Sequence, residues 1–278
     1  MSIKVRQARP GDKFDIQALL RRAAYKLPPL WRWQEHLCDG LFVVIECQNL
    51  VVGGFLAWPD ASPIAWVRVA ALDDGLAVAD WLDLVLPATL QKLRQKGVQK
   101  LAWMDYNGWA GPHLPARGFR RFKVITTLET TQHVLIELEN ALDVHLRPAS
   151  MQDIPMIIRL DRAAFSPHWW YSASTLRRRY DVTSHFVVAE KADILVGYVE
   201  GETHMPRSHL NRIAVHPDCQ GLGLGKLLLN DAMQAFWRQG SEYVTVNTQI
   251  DNHRALRLYR QFGFESIDDT VTAWERCC

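Results

Sequence analysis

At 278 residues the chain has room for one large domain or two of ordinary size. With 48% hydrophobic and 22% charged residues it can bury a core, which excludes wholesale disorder. A formal net charge of +2 excludes a broad nucleic-acid-binding face, which needs a marked basic excess.

The opening MSIKVRQARPGDK has no signal-peptide core, and no apolar run reaches the ~18 residues of a membrane-spanning helix. A soluble cytoplasmic protein without membrane partners is therefore expected. The cysteines Cys38, Cys47, Cys219, Cys277 and Cys278 form no CxxC pair and fit a reducing compartment. The vicinal pair at the end reads as a frayed tail.

In chain order, ARPGDKFDIQALLRRAAY from Ala8 predicts a strand end and an amphipathic helix. LFVVIECQNLVVGGF from Leu41 predicts a hairpin: strand, polar turn, strand. DDGLAVAD from Asp73 leads into a helical pattern, and NGWAGPHLPARGF from Asn107 closes this part. Trp31, Trp33, Trp66, Trp103 and Trp109 are assigned to core and interface rather than to catalysis.

HVLIEL from His133 looks strand-like and is followed by LENALD, so a domain boundary is expected between Glu139 and Asp143. Beyond it the same pattern starts again. LRPASMQDIPMIIRLDRAAF from Leu146 resembles the opening segment, and HFVVAEKADILVGYV from His185 repeats the Leu41 hairpin. At an offset of 144, Phe42 falls on Phe186, Glu46 on Glu190 and Gly53 on Gly197. Later the offset is 145, and Asn107, Gly118 and Phe119 fall on Asn252, Gly263 and Phe264. The chain thus reads as a duplication of a mixed α/β unit, β-α-α-β-β-β-α-β-α-β, with domains at residues 1–140 and 144–278. Arg177, Arg178 and Arg179 are read as a solvated helix face.

The second copy contains RIAVHPDCQGLGLGKLLLND from Arg212, a strand, three alternating glycines and a helix. A dinucleotide fingerprint fails because its sixth position is Lys226, and a P-loop fails at Gln220 and Leu227. What remains is a bare backbone at a helix N-terminus, where unpaired N–H groups and the helix dipole favour a phosphate. Lys226 adds charge at the rim.

Q-G-L-G-L-G from Gln220 fits the Q/R-x-x-G-x-G/A motif of the GNAT superfamily of acyl-CoA-dependent N-acetyltransferases. The resemblance extends to LNRIAVHPD, which looks like the family's fourth strand, and to NHRALRLYRQFGF, which resembles its Asn-x-x-Ala-x-x-Leu-Tyr-x-x-x-Gly-Phe helix. It covers Leu146 to Trp274 and is similar in detail to the ribosomal-protein alanine N-acetyltransferase group. Two tandem GNAT-like domains are therefore expected, the first of them degenerate.

The resemblance implies acetyl-CoA between splayed fourth and fifth strands. Its pyrophosphate would lie on Gln220, Gly221, Leu222, Gly223, Leu224, Gly225 and Lys226. Its pantetheine would run beside Ile213, Ala214 and Val215, where a β-bulge would free a backbone N–H for the thioester carbonyl. Asn252 would bond the pantetheine, cap its helix, or both. Tyr259 falls on the family's general-acid tyrosine.

The positions of the family's glutamate base hold His209 and Asn247, and only His209 can take a proton; Glu200, Glu202 and His204 are near enough in sequence to serve instead. FSPHWWY from Phe165 either lines the acceptor pocket or covers the other half. In the first copy Gly221, Gly223, Gly225 and Tyr259 become Leu76, Val78, Asp80 and Leu114, so that half is expected to hold no cofactor.

The expected activity is direct acetyl transfer to a primary amine of a protein N-terminus, a lysine or a small molecule, by a monomer or homodimer without a metal. A non-catalytic acyl-CoA-binding module is the other reading.

Overall fold

The repeat is visible in the backbone of a computed structural model that describes residues 3–27, 33–61, 63–137 and 143–278. Trp31 and most of the expected boundary, residues 138–142, lie outside these. The elements of the first part are β1 (Ile3–Gln7), α1 (Lys13–Arg22), β2 (Tyr25–Lys26), β3 (Phe42–Cys47), β4 (Leu50–Trp58), β5 (Ile64–Leu72), α2 (Val78–Gln95), β6 (Lys100–Asp105) and β7 (Arg120–Thr130). Then come β8 (His145–Pro148), α3 (Ile154–Ala164), α4 (Ala173–Val182), β9 (His185–Lys191), β10 (Ile194–His204), β11 (Arg207–Val215), α5 (Leu224–Arg238), β12 (Tyr243–Gln249), α6 (His253–Gln261) and β13 (Glu265–Cys277).

The two copies share details finer than element order. Both hairpins turn on two residues with positive φ, Gln48 and Asn49 (50° and 64°) in one and Ala192 and Asp193 (48° and 62°) in the other. Such a turn twists with the strands it joins. Arg6 clamps Asp12 and Glu46 in the first copy, and Arg147 clamps Asp153 and Glu190 in the second. Each arginine ties the first strand, the start of the first helix and the hairpin together.

The chain divides into two compact units, Met1–Lys123 with Val271–Cys278, and Val124–Thr270. A single cut near residue 140 does not reproduce this, because strand pairing decides membership. In the second unit β12 pairs antiparallel with β7, from Val244↔Thr130 to Gln249↔Ile125. In the first, β6 pairs antiparallel with β13, from Thr272↔Asp105 to Cys277↔Lys100.

The end of the chain is therefore held in a ladder, not frayed, and Cys278 N donates to Gln99 O at 2.9 Å. HVLIEL is not a strand over its described residues: Ile136 N donates to Asn230 Oδ1 (2.9 Å) and His133 stacks on Trp237 (4.2 Å). Its alternating apolar residues meet a helix instead of a strand partner.

The second unit has the expected element order in full, with the sheet order β8-β9-β10-β11-β12-β7. In the first unit two of the three expected helices after α1 and before β7 shrink to 3₁₀ turns, at Trp33–Cys38 and at Gly111–His113 with Pro115–Arg117. Pro112 and Pro115 lack the N–H a continuous helix would need.

On one face of the second unit's sheet, Leu224, Leu228, Met233 and Phe236 of α5 pack with Leu210, Val244, Val246 and Leu128, and Tyr259 and Phe264 join them. Gly201 lets α5 close on that face, since a Cβ there would lie 2.5 Å from the Phe236 ring. On the other face, Ile157, Leu160 and Leu176 of α3 and α4 cover Phe186, Val188, Tyr198 and Ala214. Alternation along each strand thus gives every side chain of the second unit an assigned face.

Candidate active site

β11 and β12 run parallel from Arg207↔Tyr243 to Leu210↔Val246, and there the ladder ends although β11 continues to Val215. The strands part into a wedge. On its other edge β11 stays paired to β10, but the register skips Asn211, with Glu200↔Arg212 followed by Gly201↔Leu210. This is the bulge, and it sits at the apex of the wedge rather than at Ile213 to Val215, which remain in regular register. Extra twist where a strand must leave its neighbour is what a bulge supplies. Ile213 and Val215 point to the α5 side and Ala214 to the α3 side.

Beyond the wedge the chain makes a 3₁₀ turn, Pro217–Cys219, and enters α5 through the glycine loop. Gly221 and Gly223 have φ of 86° and 91°, a left-handed conformation that side-chain-bearing residues reach only with strain. Gly225 is helical, and its missing Cβ faces Leu258 of α6 at 3.5 Å. Two of the three glycines are thus required by backbone geometry and the third sits against a neighbouring helix.

Lys226 N and Leu227 N both donate to Gly223 O, so the amides of Leu224 and Gly225 at the start of the helix have no intrahelical acceptor. Leu222 is exposed at the tip, while Leu224 is buried in the core. Gln220 braces the loop, donating from Nε2 to Val215 O (3.0 Å) and accepting from Arg254 of α6. Arg254 places a cation beside Gly221, a contribution the sequence pattern did not reveal because it lies 34 residues beyond Gln220.

Asn252 caps α6, its Oδ1 accepting from Ala255 N (3.2 Å) and its Nδ2 donating to Thr248 Oγ1 (3.3 Å). Tyr259 is buried on the α5 side, 5.7 Å from the Phe264 ring, and burial pushes its phenol above the ordinary value. It stays protonated throughout the physiological range.

His209 lies on the opposite face. Its Nδ1 is 2.8 Å from Thr245 Oγ1, and Thr245 Oγ1 donates to Ser208 O at 3.4 Å. With the hydroxyl proton used on the carbonyl, Nδ1–H is the donor, and this network assigns the lone pair to Nε2. Burial, aided by Arg207 and opposed by Glu202, lowers His209 to about 4.

The alternatives are otherwise engaged. Glu200 is fully buried, and Arg179 Nε lies 2.8 Å from its Oε1, while Thr183 Oγ1 donates to it at 3.1 Å. Burial raises its pKa, against the pull of Arg179. Arg179 therefore turns inward and is not part of a solvated face. Glu202 pairs with exposed His204 at 3.5 Å, and Asn247 is exposed.

The aromatic segment is pinned to its own sheet. Arg212 lies 3.8 Å from the Phe165 ring centroid and 4.0 Å from that of Tyr171. Its Nε and Nη2 donate to Asp161 Oδ1 (2.9 and 2.8 Å), which also accepts from Tyr198 Oη at 2.5 Å. Asp161 and Tyr198 are fully buried, and burial drives the Tyr198 phenol far up. Among the described residues no group of three His, Cys, Asp or Glu is placed to hold a metal ion, and no helix is long and apolar enough to cross a membrane.

In the first unit β5 and β6 also part after three pairs, Ile64↔Lys100 to Trp66↔Ala102. The link from strand to helix there, 73–77, is shorter than the corresponding 216–223 and keeps one glycine, Gly75. Trp81, Trp103 and Trp109 pack on one another with centroids 5.7 to 6.2 Å apart. Leu114 is buried where the second unit has Tyr259.

A wedge between parallel strands thus opens onto a glycine-lined helix N-terminus. Residues 154–264 match the family model described as acetyltransferase (GNAT) family.

An N-alpha-acetyltransferase RimI from Mycobacterium tuberculosis is 35% identical over 102 residues, which covers 35% of this chain and 63% of that protein. An N-alpha-acetyltransferase from Sulfurisphaera tokodaii is 26% identical over 145 residues, covering 47% of this chain and 86% of that one. In the whole-chain comparison, a tandem GNAT protein from the clavulanic acid biosynthesis pathway superposes with a TM-score of 0.65 at 15% identity, covering 99% of this chain and 98% of that chain. The fold is that of two GNAT-like domains in tandem.

Proposed function

We propose that the second domain transfers an acetyl group from acetyl-CoA to a primary amine by direct attack within a ternary complex. The observation that carries this reading is the pairing of a strand wedge with left-handed Gly221 and Gly223 at the mouth of α5. A diphosphate on the Gln220–Lys226 loop would meet helix amides, with Arg254 and Lys226 at the rim. Its pantetheine would follow Ile213 to Val215 toward the apex.

Tyr259, on the α5 side, is the proton donor to the departing thiolate. Its raised pKa keeps that proton available until sulfur acquires charge. His209, on the far side of the apex, is the acceptor of the amine's N–H through Nε2. Asn252 serves as the α6 cap and thereby fixes the helix that carries Tyr259.

Relatives named N-alpha-acetyltransferase support an α-amino group as the acceptor. The first domain holds no acetyl-CoA in this reading, because its link from strand to helix is shorter and lacks the paired left-handed glycines.

Titration with coenzyme A, followed by turnover on peptides and small amines, tests this. Tyr259→Phe is expected to lower kcat about 100-fold while leaving coenzyme A affinity unchanged. Failure of the wild-type protein to bind coenzyme A overturns the reading. Binding without turnover leaves a non-catalytic acyl-CoA module.

A further inference from the structure

His209 shares its sheet face with a carboxylate that the chemistry above does not use. Across four strands of the second unit, Glu202 is the Cα partner of His209, His209 of Thr245, and Thr245 of Glu129. The hydrogen bond between His209 and Thr245 puts those two side chains on one face. The next residues along these strands, Leu210, Val246 and Leu128, are in the core on the α5 side, so Glu129 lies on the face of His209.

Neighbouring strands are ~4.8 Å apart, which places Glu129 about 10 Å from His209 with Thr245 between them. Side chains directly opposite one another have Cβ atoms ~5 Å apart. A nitrogen held above Thr245 is within reach of the imidazole on one side and of Glu129 on the other.

Other carboxylates that reach this face have partners: Asp161 is held by Arg212, Glu200 by Arg179, Glu202 by His204, and Asp269, beside Glu129, accepts from Thr127 Oγ1 at 3.0 Å. Glu129 takes part in none of these pairs and is half-buried. His209 offers an ammonium ion no countercharge, since burial and Arg207 hold it neutral down to about pH 4. The acceptor arrives mostly as that ion, and an ammonium is drawn to a carboxylate.

We infer that Glu129 is a catalytic residue of the second domain, receiving the acceptor's ammonium and taking its first proton. The inference rests on the acetyl-transfer reading. An N–H bond of the ammonium breaks, an O–H bond forms on Glu129, and the freed lone pair attacks the thioester carbonyl carbon. As the tetrahedral centre collapses, a second N–H proton passes to His209 Nε2 and the C–S bond breaks. The sulfur takes the Tyr259 proton. The His209 and Tyr259 protons cancel through solvent, and one proton per turnover leaves from Glu129, as the conversion of an ammonium and a thioester to an amide and a thiol requires.

The test uses the full chain carrying Glu129→Gln or Glu129→Asp, with two kinds of acceptor. One is an aliphatic primary amine or peptide N-terminus, charged at pH 7. The other is an arylamine or hydrazide, already neutral there. Glu129→Gln is expected to lower kcat/KM about 100-fold for the charged acceptor at pH 7, with the deficit closing as pH rises through that amine's pKa. Little loss is expected with the neutral acceptor, coenzyme A affinity stays at the wild-type value, and Glu129→Asp recovers part of the rate.

Equal loss with both acceptors at every pH marks a structural role and overturns the inference, as does an unchanged rate for Glu129→Gln in an active enzyme. A wild-type protein that neither binds coenzyme A nor acetylates any amine overturns the acetyl-transfer reading and the inference with it.

Discussion

His209 carries a pH signature that can be read without any substrate. Its folded-state value of about 4 lies below the ordinary 6.5, so the unfolded chain binds a proton that the folded one refuses. Its contribution to stability is therefore complete above pH 6.5, declines as pH falls toward 4, and is constant below that. At about 1.36 kcal/mol per pKa unit, the whole window is worth about 3 kcal/mol. Thermal midpoints measured from pH 8 to pH 4 are expected to fall more steeply in the wild-type protein than in His209→Gln. Parallel curves would mean that the imidazole titrates freely.

Gly221 and Gly223 show the complementary situation at this scale. There the backbone conformation, not a titration, constrains the residue, and their positive φ explains why the loop spells glycine twice before α5 begins.

Among elements, the clamp joining α3, the aromatic segment and β11 is the most consequential for the acceptor side. Asp161 is fully buried, and its compensation comes from Arg212 together with Tyr198 and the Tyr171 amide. Removing the arginine alone leaves an uncompensated buried carboxylate, which costs about 3–5 kcal/mol. Arg212→Met is expected to lower the unfolding free energy by that amount and to free Phe165 and Tyr171 from their cation. Adding Asp161→Asn is expected to restore much of the loss, and a double variant as unstable as the single one would contradict the charge argument. Chemical denaturation of both variants decides it.

Elements also show what the sequence disclosed and what it hid. The hairpins with their two-residue turns, the glycine loop and the Asn252–Phe264 helix are each specified within about 15 contiguous residues, so periodicity and turn chemistry suffice to find them. The Arg212–Asp161 pair joins residues 51 apart, and neither signals the other. The bulge falls at Asn211 rather than along Ile213 to Val215 because register belongs to a strand pair, not to one strand. Glu129 was out of view for the same reason: it lies on a strand that precedes the second copy.

For the whole molecule, the pairing of β7 with β12 and of β13 with β6 makes the apparent boundary at residue 140 a poor place to divide the chain. A fragment of residues 144–278 contains the glycine loop, His209 and Tyr259, yet lacks β7. Its β12 would lose six Cα partners, Ile125 to Thr130, together with buried Leu128. With ~1 kcal/mol per ladder hydrogen bond and about 2 kcal/mol for a buried leucine, the loss amounts to several kcal/mol. That is a large fraction of the ~5–15 kcal/mol by which a domain is stable.

The exposed ladder groups of β12 would also offer a template for pairing between chains. Residues 144–278 are therefore expected to aggregate, without a cooperative melt or coenzyme A binding. Residues 120–278, which regain β7, are expected to melt cooperatively and to bind the coenzyme. Circular dichroism melts and coenzyme titrations of the two fragments separate the cases. A cooperative melt of the shorter fragment at the midpoint of the longer one would show that β7 is dispensable, and would remove Glu129 from any fold-determined role in the site.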